Sequence, residues 1–262
     1  MSNELLVQQA AERLRNADTS GVPCAPIREL IGESDLASAY AVQAINHQLR
    51  LNEGARVTGY KIGLTNPIIQ KQLGVAQPDY GALYHDREVD LGGSLSISAV
   101  MQGRVEAEVA IVLGKDLPMH PIGASELMRA TEFALASIEI VGSRILDWNI
   151  RITDTIADNA SASHYVLGHH PQKLGTFDLI NGKMEMYKNG ELASQGKGSD
   201  CLESPVNAAV WLANTMISQG QKLQAGTILL TGALGPMVSV AAGDHIETRI
   251  EGLGSVSVSF TA

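Results

Sequence analysis

The run Val109-Ala110-Ile111-Val112-Leu113, closed by Gly114, is continuous, apolar and rich in branched residues, and it reads as a buried strand. Its approach, Arg104-Val105-Glu106-Ala107-Glu108, carries two carboxylates two positions apart. In a strand, residues i and i+2 share a face, so Glu106 and Glu108 stand side by side; a helix would separate them by about 200°. Two like charges on a half-buried face repel, and each resists losing water. Their pKa values rise, or a cation sits between them, or the pair is a solvated strand end with Arg104 as its local partner. A fold for this chain has to bury the strand and still accommodate its acids.

The remaining composition narrows the function classes. At 262 residues the chain is long enough for one large core with a smaller attachment. A formal net charge of −9, with no block of Lys and Arg, argues against a nucleic-acid surface or a polybasic membrane patch. The two cysteines, Cys24 and Cys201, form neither a disulfide framework nor a metal-type spacing, which points to a reducing cytoplasm. Met1 to Leu6 does not resemble a signal peptide, and no apolar run approaches the roughly 20 residues of a spanning helix. With 4% aromatic residues, the core is expected to be built from Val, Ile, Leu and Ala.

Residues 3–17 read as a surface helix, and a second helix is expected from Ser34, with Leu36, Tyr40, Ile45 and Leu49 on one stripe and Gly54 ending it. A short extended segment, Val57 to Thr65, holds Lys61 between Gly59 and Gly63, where a backbone or ligand can come close. Asn66-Pro67 opens a short helix to Gly74, and Pro78-Asp79-Tyr80-Gly81 reads as a turn. His85 is expected at the surface. Ser125 to Leu135 is expected to be helical, and Ser137-Ile138-Glu139-Ile140-Val141 a strand. Glu139 is set between isoleucines there, where a glutamate is rare unless paired or coordinating. The polar run Asp154 to Ser161 is read as a capped loop. Later come a hairpin at Asn189-Gly190, a helix from Ser204-Pro205 to Gly220, and a buried strand Ile228 to Thr231 opening into Gly232-Ala233-Leu234-Gly235. That glycine loop could offer N–H groups to an anion, although a tight turn is the simpler reading. A closing hairpin spans Ile246 to Phe260. The architecture is α+β, with a small N-terminal helical region in residues 1–80 and a β-rich catalytic region in 81–262.

Five ordered motifs carry a resemblance: Gly59 to Thr65, Gln77 to Gly81, Arg104 to Glu108, Ile138 to Ile145 and Asp154 to Ser161. Together they closely resemble the 2-keto-4-pentenoate (2-hydroxypenta-2,4-dienoate) hydratases of the fumarylacetoacetate hydrolase superfamily, from about residue 34 to Phe260. The resemblance implies a mixed sandwich or roll and a divalent Mg²⁺ or Mn²⁺ held by Glu106, Glu108 and Glu139. It also implies catalytic roles for Lys61 and Asp79 and a substrate contact from Ser161. Hard oxygen ligands suit those ions better than zinc. A lysine desolvated near a cation is expected to have a lowered pKa.

The resemblance further implies a large homo-oligomer and a complex with a downstream aldolase or a related decarboxylase. The superfamily's hydrolases rely on a His–Glu pair in a lid segment whose motif is not found here, which favours adding water over cleaving carbon–carbon bonds. Two other readings stand beside a hydratase: a 2-oxo-acid decarboxylase of the 4-oxalocrotonate type, and a non-catalytic partner subunit of the same fold. Ala162-Ser163-His164 departs from the family's small Cys-Gly pair. A bulky His164 pointing inward would narrow the pocket and favour the five-carbon dienoate; a solvent or subunit contact is the alternative.

Overall fold

Apolar periodicity accounts for the first third of the chain. The structure, a computed structural model, describes residues 2–66, 70 and 75–262. It opens with three helices, α1 (Asn3–Ser20), α2 (Arg28–Ile31) and α3 (Leu36–Asn52). Gly21 takes the left-handed conformation (φ 69°) that stops α1, and its N–H donates to Ala17 O. Asp35 caps α3 by accepting the Ser38 N–H. Val7, Ala10 and Leu14 of α1 pack against Ala39 and Val42 of α3, and Ile145 and Ile156 close this small core from the other end of the sequence. Leu36, Tyr40 and Ile45 of the expected stripe lie half-buried around it. The expected helix from Asn66-Pro67 to Gly74 falls largely on residues 67–69 and 71–74, outside the described residues.

Strands then dominate. In chain order they are β1 (Val57–Gly63), β2 (Asp79–Tyr84), β3 (Glu88–Val89), β4 (Ser94–Ser96) and β5 (Arg104–Leu113). Helix α4 (Ala124–Ala130) leads into β6 (Thr131–Val141), and α5 (Ile152–Ala157) precedes β7 (Ala162–Leu167). After β8 (Lys183–Lys188) and β9 (Glu191–Lys197) come α6 (Pro205–Ser218), β10 (Ile228–Ala233), β11 (Val238–Ser239), β12 (His245–Ile250) and β13 (Gly254–Thr261).

One sheet has the order β2-β1-β10-β5-β6-β7-β3, with β11 also paired to β5; the other runs β4-β13-β12-β8-β9. Strand β1, from the N-terminal side of the expected division at residue 80, pairs parallel with β10 and antiparallel with β2. The α+β expectation is met, with two curled sheets and helices set at their margins.

The main core lies between the sheets. Val105, Ala107, Val109 and Ile111 of β5 and Ile138 and Ile140 of β6 face Met186, Ile246, Val258 and Phe260, and α6 adds Ala209, Leu212 and Met216. Burying each large aliphatic or aromatic side chain contributes roughly 1.5–3 kcal/mol, so this packing fixes which way β5 and β6 turn their alternate residues. The remaining residues of both strands face the other way, beside a smaller cluster of Ala110, Leu135, Tyr165 and Leu230.

Two expectations fail here. The turn read over Pro78-Asp79-Tyr80-Gly81 is strand from Asp79 onward, because Asp79, Tyr80 and Gly81 pair with Gly63, Ile62 and Lys61 of β1. The helix read over Ser125 to Leu135 ends at Ala130, because Thr131 to Leu135 pair along β5, Leu113 with Thr131 through Ala110 with Leu135. The Thr131 hydroxyl donates to Leu127 O at 2.9 Å and finishes the helix. Thr131 and Phe133 suit a pleated surface, and the long-range ladder overrides the local helical pattern. The polar run from Asp154 likewise forms helix up to Ala157 before it becomes the turn at Asn159–Ser161.

Candidate active site

The face of β5 and β6 turned away from the main core holds the acids. Register sets Glu106 directly opposite Glu139, and Glu108 follows two residues along β5. Oxygens of all three lie within 4.8 Å of one another. Glu108 and Glu139 are fully buried, while Glu106 borders a cavity. Like charges directly opposed across a ladder destabilise a sheet, so the arrangement runs against folding unless something offsets it. Glu108 Oε2 accepts the Gly232 N–H at 2.8 Å. Glu108 Oε1 and both oxygens of Glu139 receive no aligned hydrogen bond among the described residues.

Two buried carboxylates with orphaned oxygens, and a third half-buried beside them, are a donor set for a hard divalent ion, and the absence of sulfur and imidazole from that set disfavours softer metals. Burial, then the neighbouring Glu139, pushes Glu106 up to about 7. Glu108 is raised well above the usual carboxylate range by the same two causes, with Glu106 adding to them. Burial also raises Glu139, against the pull of Lys61.

Lys61 reaches the acids from β1. Its Nζ lies 3.2 Å from Glu139 Oε1 and donates to Ala160 O at 2.9 Å. The glycines around it answer to close approaches. Gly81 sits opposite Lys61 in the β1–β2 ladder, where a Cβ would come within 2.1 Å of Asn159 O. Gly63 sits opposite Asp79, and a Cβ there would lie 2.2 Å from Asp79 Oδ1. Asp79 is therefore packed beside Lys61 on one wall. It is 1% exposed, and neither oxygen has an aligned hydrogen bond among the described residues. Burial raises its pKa, opposed by Lys61.

Among the protein's own groups, the expected lowering of the Lys61 pKa by burial is outweighed. Burial does pull it down, but the charges of Glu139, Asp79, Glu106 and Glu108 outweigh that and hold it above its ordinary value. Lys61 is a protonated donor here.

The turn that meets Lys61 is strained. Asn159, Ala160 and Ser161 have φ of 55°, 51° and 58°, three non-glycine residues in succession in the left-handed region, at a cost of order 1–3 kcal/mol each. Buried hydrogen bonds hold it: Asp158 accepts from Arg144 N at 2.9 Å and from Arg144 Nε at 2.5 Å. Gly142 N–H reaches Ser161 O at 2.9 Å.

These groups border a cavity of about 540 Å³. Lys61, Asp79, Glu106 and Ser161 line it, as do Ala233 and Gly235; Glu108 and Glu139 sit behind Glu106. Ser161 Oγ lies 3.3 Å from Thr155 Oγ1. Of the glycine loop's four amides, Gly232 N–H is committed to Glu108 and Leu234 N–H to Ala107 O, and the Leu234 side chain is in the main core. Trp148, Ile150 and Ile152 add apolar surface to the lining. Trp148 lies under the Arg104 guanidinium at 4.4 Å and donates its indole N–H to Gln102 O.

Sequence reasoning passed over Trp148, Gln195 and Asp200, all of which line the cavity. For Trp148 the available signal was a rare aromatic in a polar loop; for the other two there was none locally. His164 does not reach the cavity. It is buried beside Ser163 and Arg87, with Nδ1 2.9 Å from Ser163 Oγ and Nε2 3.4 Å from Arg87 Nη1, because strand alternation sends it to the face opposite Tyr165. His85 is exposed as expected.

A model of the fumarylacetoacetate hydrolase C-terminal family matches residues 77–261. The chain belongs to the fumarylacetoacetate hydrolase family. Among its relatives, the TodF product hydratase of Pseudomonas putida is 52% identical, over 97% of this chain and 95% of that one. The 2-keto-4-pentenoate hydratase 2 of Dechloromonas aromatica is 49% identical, over 99% and 100%. A solved structure of 4-oxalocrotonate decarboxylase from Pseudomonas putida G7, complexed with magnesium and adipate, superposes with a TM-score of 0.93 at 30% identity, covering 99% of this chain and 98% of that one. No described helix is long and apolar enough to cross a membrane.

Proposed function

We propose that this family member is a divalent-metal-dependent hydro-lyase. It adds water to 2-hydroxypenta-2,4-dienoate (2-oxopent-4-enoate) to give 4-hydroxy-2-oxopentanoate in meta-cleavage catabolism of aromatic compounds. The observation that carries the reading is the convergence of Glu106, Glu108 and Glu139, with oxygens left unpartnered, at a cavity that also holds Lys61 and Asp79. Relatives at 46–52% identity over nearly the whole chain are named as hydratases.

Glu106, Glu108 and Glu139 would hold Mg²⁺ or Mn²⁺, which supplies Lewis-acid stabilisation of negative charge on the substrate's C2 oxygen. The chain's own groups move the protons. Ketonisation of the dienol delivers a proton to C5 while the C2 hydroxyl gives one up; Lys61, protonated and fixed by Glu139 and Ala160, donates the first and is restored by the second. Water then adds to the conjugated chain. Asp79, whose proton affinity is raised by burial, orients that water, takes its proton as the oxygen bonds to C4, and returns the proton to C3. Trp148, Ile150 and Ile152 exclude bulk water from the reacting chain. Ser161, Ala233 and Gly235 contact the substrate from the cavity wall.

The decarboxylase reading rests on the structural likeness to 4-oxalocrotonate decarboxylase. The cations lining the cavity weigh against it. Among the described residues these are Lys61, already committed, and Arg151, whose side chain is 61% exposed and paired with Glu33 at 3.4 Å. A substrate with one carboxylate suits that lining better than one with two. The reading also includes a cytoplasmic homo-oligomer and an association with a downstream aldolase or related decarboxylase, which light scattering alone and with the purified aldolase measures.

The deciding experiment incubates metal-loaded protein with the dienoate and follows loss of the dienol absorbance together with product mass. A gain of one water supports the hydratase. Release of CO₂ establishes the decarboxylase, and an unchanged substrate removes both.

A further inference from the structure

Strand β2 is an edge of its sheet, so the backbone groups that it turns away from β1 have no strand partner. Ala82, one residue beyond the glycine opposite Lys61, is satisfied by a side chain. Its N–H donates to Asn159 Oδ1 at 2.8 Å, and its carbonyl accepts from Asn159 Nδ2 at 3.0 Å. A carboxamide placed in this way reproduces the donor and acceptor pair of a neighbouring strand residue. The next residue along the turn is Ala160, whose carbonyl accepts from Lys61 Nζ at 2.9 Å. Between these two contacts the backbone is in the left-handed region at Asn159 and Ala160, a conformation that the turn does not prefer by itself. Gly81 leaves the space: a Cβ there would come within 2.1 Å of Asn159 O and 3.0 Å of Asn159 Oδ1.

We propose that Asn159 is a positioning residue, whose carboxamide, clipped to both edge groups of Ala82, holds the Ala160 carbonyl on Lys61 and so aims the ammonium into the cavity. Asp158 acts at the other end of the turn. Its side chain binds Arg144, and its carbonyl accepts the Ser161 N–H at 2.9 Å, which sets the plane of the Ala160 peptide; Asn159 fixes where that peptide sits against β2 and Lys61. Asn159 acts from behind the turn, since it borders a separate hollow against α3, whereas Ala160 and Ser161 face the catalytic cavity. The clip therefore touches neither substrate nor the Glu106, Glu108 and Glu139 set. Its removal is expected to alter turnover and to leave metal and substrate binding in place.

The test compares wild type with Asn159→Ala, and with Asn159→Asp, which keeps the acceptor for Ala82 N–H and loses the donor. If the alanine variant fails to fold, the aspartate variant carries the test. Crystal structures of the variants should show the Ala160 carbonyl moved beyond hydrogen-bonding distance of Lys61 Nζ. The kinetic arm rests on the hydratase reading: kcat on the dienoate should fall at least tenfold, with KM and the Mn²⁺ dissociation constant each within about twofold. In a Lys61→Met background, adding Asn159→Ala should change the residual rate by less than twofold, because the clip acts through that lysine. A variant structure with the Ala160–Lys61 contact intact would overturn the proposal, as would a rise in KM at constant kcat. Should wild type turn over no dienoate, the hydratase reading fails, and the variant structures still decide the clip.

Discussion

Two sets of buried carboxylates lie close together in this fold, and only one of them is satisfied. Asp154 and Asp158 are almost completely buried, and each is surrounded by donors. Asp154 accepts from Arg28 N and Arg151 N and pairs with the Arg28 guanidinium. Asp158 accepts from the backbone and guanidinium of Arg144. Glu108 and Glu139 are just as deep, yet three of their four oxygens receive no aligned hydrogen bond among the described residues, and for these oxygens the balance is a single ion pair of Lys61 with Glu139 Oε1 at 3.2 Å. The first set is architecture: it ties α2 to α5 and anchors the strained turn. The second set makes the sheet less stable than an apolar face would. Chains keep such groups for binding or chemistry, since a buried unpaired charge costs several kcal/mol. Hydrogen-bond satisfaction, rather than burial or charge, separates a structural acid from a functional one here.

Exchanging a member of each set should break the symmetry between them. The largest effect is expected for Glu139→Gln, with dienoate turnover falling by more than about 100-fold, beyond the usual range for groups that only support a metal ligand. Its metal-free thermal midpoint should fall less than that of Asp158→Ala, because losing the charged partner of Lys61 is offset by removing a like charge opposite Glu106. Turnover within tenfold of wild type would place Glu139 among the structural acids. Asp158→Ala should do the reverse to stability. Leaving Arg144 buried and unpaired should cost about 3–5 kcal/mol, read from urea unfolding midpoints. A loss below about 1 kcal/mol would mean that the pair does not anchor the turn.

A smaller effect is expected from a buried base on the other side of the same sheet. Burial, and then the Arg87 charge, pushes His164 down to about 4. The unfolded chain takes up that proton near pH 6.5, well before the folded one. The stability linked to His164 is therefore whole above about pH 6.5 and is lost as the pH falls from there through about 4. After allowance for solvent screening it amounts to about 2 kcal/mol. His164→Gln should flatten that part of the stability profile while leaving the five- to six-carbon substrate preference unchanged, since the ring lies outside the cavity. An unaltered profile would show that His164 titrates normally.

The acids were legible because strand periodicity is local. Two positions of spacing set Glu106 beside Glu108, and the isoleucines around Glu139 marked a glutamate where none is comfortable. Lys61 was marked by its glycines, although only the structure shows what those glycines admit: Asp79 at Gly63 and the Asn159 turn at Gly81. What stayed hidden depends on contacts between distant segments. Nothing near residue 159 announces that its side chain will complete the edge of β2. The segment from Thr131 to Leu135 became strand because β5 was there to pair with it. His164 could not be oriented without the strand register, and the sign of the Lys61 shift required a count of the carboxylates that surround it.

The most direct test of the distinction between the two sets is calorimetric titration of Mn²⁺ into metal-stripped wild type and metal-stripped Glu139→Gln at neutral pH. Wild type should bind one ion per chain, with protons released as Glu106, Glu108 and Glu139 ionise fully, and the variant should show no saturable binding at the same concentrations. Equal binding by both proteins, or none by wild type, would contradict the assignment of the unpartnered carboxylates as a metal site.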